Sequence, residues 1–207
     1  MVKKLLSVII LIALLLILAA CSPQSSGNLP PPNIEIWIRQ DIDGIARFST
    51  DIIRAEVLSS KEERVDVILS DTNSLVKRHN VYDLKVIEVF KGDSEAGDIV
   101  KAMQDIESVN NQNNVTLNIG SNLVFFLRSF ESDGFGHLPM AFEGGLQGVY
   151  WVPSKHADLL ADGIETAYLA DSSVSDIVLT AFDLYSEITL TIRDLMQIAG
   201  VDSAGHG

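Results

Sequence analysis

The most apolar stretch of the chain comes first. From Leu5 to Ala20 every residue except Ser7 is apolar, Lys3 and Lys4 precede the run, and Cys21 ends it. Ser22-Pro23-Gln24-Ser25-Ser26-Gly27 cannot continue a hydrophobic helix. The run falls short of the roughly 20 apolar residues that a stable membrane-spanning helix needs. A basic start, an apolar middle and small residues before a cleavage point predict instead an export signal over residues 1–20.

Residues 22–33 hold four of the six prolines among Ser, Gln, Gly and Asn. This composition predicts a tether over 21–33, whose Pro30-Pro31-Pro32 favours extended backbone at about 3.1 Å per residue and a reach of roughly 30 Å. Beyond it the pattern becomes one of alternation. Residues 34–38 alternate briefly, 40–48 predict a short helix with Ile42, Ile45 and Phe48 on one side, and 51–58 predict a strand. A charged loop over 59–64 then leads to a second strand over 65–69.

The clearest strand runs over 80–90. Tyr82, Leu84, Val86 and Phe90 fall on one face, while Asp83, Lys85, Ile87 and Val89 fall on the other. The second face turns from polar to apolar, which predicts cover on both sides towards the strand's end. Lys91-Gly92-Asp93 is a turn in which glycine supplies positive φ. A strand over 97–104 and a loop over 105–114 follow. Residues 121–128, the most apolar segment after the export signal, predict the central buried strand. Residues 138–142 and 146–152 predict a last hairpin across Glu143-Gly144-Gly145.

The tail changes period. Val174, Ile177, Ala181, Leu184, Ile188, Ile192 and Leu195 recur at three- and four-residue spacing, which predicts helix with a break near position 190 at the β-branched Thr189 and Thr191. Thr191-Ile192-Arg193-Asp194 has the form of a capping box, and Gly200 stops the last helix.

Charge narrows the partners. Against 28 acidic residues stand 15 basic ones, and removing residues 1–20 takes two lysines more, leaving a net charge of −15. Nucleic acid is excluded as a partner, because binding it needs clustered Lys and Arg. Cys21 is the only cysteine, so no disulfide braces the domain. The 187 residues from Cys21 onward suffice for one core without such staples.

Leu18-Ala19-Ala20-Cys21 resembles the lipobox of bacterial lipoproteins. The resemblance implies diacylglyceryl transfer to the Cys21 thiol, cleavage before that residue, and a membrane anchor of the stable, two-chain kind. The succession of 51–58, 81–90 with Lys91-Gly92-Asp93, 97–100, Ile119-Gly120 with 123–127, and Gly148-Val149-Tyr150 resembles small exported bacterial proteins with a barrel similar to the tissue-inhibitor-of-metalloproteinase and netrin modules. It implies an OB-like, antiparallel five-stranded barrel acting as a binding scaffold. In the animal inhibitors of that family an N-terminal cysteine with a free amine reaches the protease zinc. That mechanism does not transfer, because lipidation occupies Cys21.

Catalytic signatures are missing from the sequence. His79, His137, His156 and His206 stand singly, without metal-ligand spacing, and are expected on the surface or in loops. Asp41-Ile42-Asp43-Gly44 lacks the distal glutamate of a calcium loop. There is no Gly-x-Ser-x-Gly elbow, and Gly144-Gly145-Leu146-Gln147-Gly148 lacks the lysine of a phosphate loop, so its glycines are read as allowing close strand approach. Aromatic residues are the remaining candidates for recognition: Trp37, Tyr82, Phe135, Tyr150 and Trp151. Tyr82 and Tyr150 are expected in the core, and Trp151, facing opposite to Tyr150, at the surface.

The sequence thus predicts a mainly β (α+β) protein. Its parts are an export signal over 1–20, Cys21 and a tether to 33, an OB-like barrel over 34–155 with a short N-terminal helix, and a helical element over 156–207 packed on the barrel. The expected role is non-enzymatic binding at the outside of a bacterial membrane, inner or outer, with no cofactor and no metal and with a protein or envelope ligand as partner. A hydrolase of envelope polymers acting through surface carboxylates, and the substrate-binding lipoprotein of an importer, are the alternatives.

Overall fold

The computed structural model describes residues 41–70, 73–106, 116–131, 136–182 and 186–201. The expected export signal and tether, Cys21 and the expected strand over 34–38 lie outside these residues, as do most of the loop expected over 105–114 and both Trp37 and Phe135.

Helix α1, Ile42–Phe48, begins where Asp41 accepts a hydrogen bond from the Gly44 amide at 2.7 Å. Its C-terminal carbonyls are met from outside, as Lys91 Nζ donates to Ala46 O at 2.8 Å and to Ser49 O at 2.6 Å. Ile45 is buried, but Phe48 is 46% exposed, so the apolar side is narrower than its spacing predicts.

β1, Asp51–Ser70, and β2, Asn73–Lys91, form a long antiparallel ribbon. The charged loop expected over 59–64 is therefore strand. Lys61, Glu62, Glu63 and Arg64 pair across to Val81, Asn80, His79 and Arg78, and the Arg78–Glu62 ion pair at 3.2 Å joins the two strands. Charges of both signs along β1 suit a strand with solvent access, although Val81 and His79 opposite Lys61 and Glu63 are buried, and the pairing continues to Ser70 and Asn73.

β3, Ile99–Asp105, pairs with β2, and β4, Asn122–Arg128, pairs with the first six residues of β1. β5, Met140–Phe142, closes the ring by lying antiparallel to β4 and parallel to β3. The ring order is β1-β2-β3-β5-β4 and back to β1. It is only partly closed and uneven about its axis. One of its five junctions is parallel, where an antiparallel barrel is expected.

β6, Val149–Trp151, does not form a hairpin with β5. Both run antiparallel to β4, β5 against Leu127 and Arg128 and β6 against Leu123 to Phe125, so they travel in the same direction along one edge. Between them Gly144 and Gly145 take φ of 68° and 65°, and a 3₁₀ turn, Gly145–Gly148, loops the chain out and back. Gly148 is buried against Glu143 O and Phe126, where a Cβ would collide. The close approach expected of these glycines is present, without the hairpin.

Helix α2, Ile164–Ala170, follows, then a 3₁₀ turn, Ser172–Asp176. β7, Val178–Ala181, adds to β6, and β8, Leu190–Thr191, adds to β7, making eight strands in one sheet. The helical period is thus overturned over Val178–Ala181. Ile177-Val178-Leu179-Thr180 is β-branched-rich, and the open edge of β6 takes it as a strand. Helix α3, Ile192–Ile198, ends the described chain; its capping box is present, with Thr191 N donating to Asp194 Oδ2 at 2.7 Å and Asp194 N to Thr191 Oγ1 at 3.2 Å. Gly200, at φ 72°, terminates it as expected.

Two apolar layers flank β1 and β4. Ile53, Ala55, Val57, Leu123, Phe125 and Leu127 point into the ring with Tyr82, Leu84 and Val86, whereas Ile52, Val124 and Phe126 point outwards into a layer built with all three helices. β4 is buried on both faces, as its unbroken apolar run predicts. On β2 the expected face is interrupted. Register shifts place Ile87 and then Phe90 as extra residues opposite β1, so Phe90 joins the outer layer while Val89 packs with the ring interior.

The turn after β2 offers a direct test. Gly92 has φ 106°, and a Cβ there would lie 2.5 Å from Asp51 Oδ1 and 3.0 Å from its Cα. Gly92→Ala is expected to cost roughly 1–3 kcal/mol in chemical denaturation. Gly97, also at positive φ (100°) but with no neighbour within 4 Å, should cost less on the same change.

Candidate functional site

The aromatic candidates separate as the alternation of β6 requires. Tyr150 is fully buried in the outer layer, with its ring edge-on to Phe126 at 5.7 Å between centroids. Tyr82 is fully buried in the ring, where its hydroxyl donates to Gln104 Oε1 at 2.8 Å and accepts from the Leu117 amide at 3.4 Å. Trp151 faces the other way from Tyr150 and is half-buried. Its indole stacks on Phe182, centroids 5.4 Å apart and planes 20° from parallel.

The Trp151–Phe182 pair is set by backbone pairing. Trp151 lies between Leu123 and Thr180 in the sheet, and the Phe182 amide donates to Val149 O at 2.8 Å just past the end of β7. Both rings extend the apolar face of the ring interior onto the added strands. Chemically the pair is a rigid, partly open aromatic surface suited to apolar or planar groups. Phe182 escapes a sequence reading because the segment before it carries a helical period.

Beside this, the outer layer holds a buried ion network. Arg54, 6% exposed, donates from Nε to Asn122 Oδ1 at 2.9 Å and from Nη1 to Leu160 O at 2.9 Å, with Glu88 Oε2 3.6 Å from Nη1. Glu88 in turn accepts from the Ile164 and Glu165 amides at 3.0 and 2.8 Å, capping α2. Asp51, also buried, accepts from Thr50 Oγ1 and Ser94 Oγ, each at 2.9 Å. These carboxylates are engaged in holding elements together.

The histidines divide. His137 is exposed in a turn, and His156 is half-buried in the 3₁₀ segment Ser154–His156. His79 corrects the expectation of a surface or loop position: it is 6% exposed within β2, its Nδ1 3.2 Å from Lys77 O, two residues from Val81, which forms a third apolar cluster with Val65 and Met103 against which Phe130 and Leu138 pack. His206 and Cys21 lie outside the described residues. Among the described residues no group of three or more His, Cys, Asp or Glu is placed to hold a metal ion. Asp41, from the rejected calcium pattern, serves as the helix cap.

The Tyr150 hydroxyl is the one buried side-chain polar atom without a hydrogen-bond partner among the described residues. Burial raises its pKa well above the ordinary tyrosine value of 10.0. Stability is therefore expected to be retained below pH 10 and lost as the pH rises beyond it, because the unfolded chain releases this proton first. Tyr150→Phe should flatten that loss, and should leave stability at pH 7 unchanged or raise it by about 1 kcal/mol, since it removes an unsatisfied group. Denaturation midpoints at pH 7 and above pH 10 check both.

No protein-family profile matches this chain, and no curated protein matches it.

Proposed function

We propose that this chain is a bacterial lipoprotein, tethered through a diacylated Cys21 to the outside of the cell's membrane, and that its ring of strands is an OB-like barrel serving as a non-enzymatic binding module. The observation that carries the anchoring is the pattern from Lys3 to Cys21: two lysines, an apolar run, and Leu18-Ala19-Ala20-Cys21 followed at once by a polar, proline-rich segment. No helix among the described residues is long and apolar enough to cross a membrane.

The ring order supports the OB-like reading, since a partly open barrel of five strands is the form such folds take. The likeness to inhibitor and netrin modules extends to the scaffold alone. The ligand is a protein or a component of the envelope, and the Trp151–Phe182 surface is the contact we assign to it. The buried Asp51 and the half-buried Glu88 favour binding over hydrolysis, both carboxylates being hydrogen-bonded within the fold. A net charge of −15 beyond the signal disfavours nucleic acid.

Intact-mass analysis of the protein purified from membranes of a bacterial host tests the anchoring. The expected mature chain starts at Cys21 and carries acyl chains. Cys21→Ala should accumulate as uncleaved precursor. An unmodified N-terminus at any other residue would overturn the proposal.

A further inference from the structure

We draw no further inference here: the strongest candidate, the open outer face of β2 and β3 where Ile87 and Ile99 stand 38% and 62% exposed beside Lys85 and Lys101, carries nothing because Glu56 and Asp83 lie directly across from the two lysines and nothing in the structure shows what covers the isoleucines.

Discussion

Arg54→Ala is expected to lower the unfolding free energy by about 3–5 kcal/mol, the largest effect of any polar substitution in this fold. The guanidinium joins three elements: Asn122 at the start of β4, the Leu160 carbonyl ahead of α2, and Glu88 on β2. Removing it takes the cation from Glu88, which keeps the Ile164 and Glu165 amides, and deprives Asn122 and the Leu160 carbonyl of a charged donor. Breaking a largely buried pair from one side is the costly outcome. Arg54→Met keeps the aliphatic stem and should lose less, and combining it with Glu88→Gln should recover part of the remainder. Urea denaturation at constant m-value reads these differences directly. A loss below 1 kcal/mol for Arg54→Ala would mean that apolar contact alone holds α2 to the sheet.

Phe126→Ala should lose a similar 3–5 kcal/mol through a cavity between the sheet and the helices. Phe126 is fully buried on the outer side of β4, edge-on to Tyr150, and packs within the cluster that contains Ile45, Leu160 and Leu195. For a chain of this size such a loss lowers the melting temperature by roughly 10 °C. Phe126→Leu fills most of the volume and should retain more than half of the lost stability. Equal losses for the two variants would show that ring shape, and not volume, matters here.

The candidate aromatic surface was half legible before the fold was known. Strict alternation within Tyr150-Trp151 assigns one residue to the core and its neighbour to the opposite face, and both are found there. The stacking partner was not legible, because Phe182 reaches Trp151 only after β7 has paired with β6. His79 shows the same limit. It is buried beside the cluster of Val65, Val81 and Met103, against which Phe130 and Leu138 from a distant segment pack.

Local chemistry determined several elements outright. Asp41 and Thr191 cap helices through atoms three residues away, Gly92 and Gly200 adopt the positive φ their turns require, and the apolar run of β4 implies cover on both faces. Such features depend on neighbours in sequence, so a sequence contains them. Other features depended on partners that only the tertiary structure supplies. The register shifts at Ile87 and Phe90 arise against β1 and exchange the faces of β2; α2 is capped by Glu88 from another element; and Val178–Ala181 becomes strand because β6 presents an unpaired edge. A strand's face, a helix's cap and the choice between two periods are settled by which backbone groups remain unpaired nearby, and that is a property of the assembled sheet.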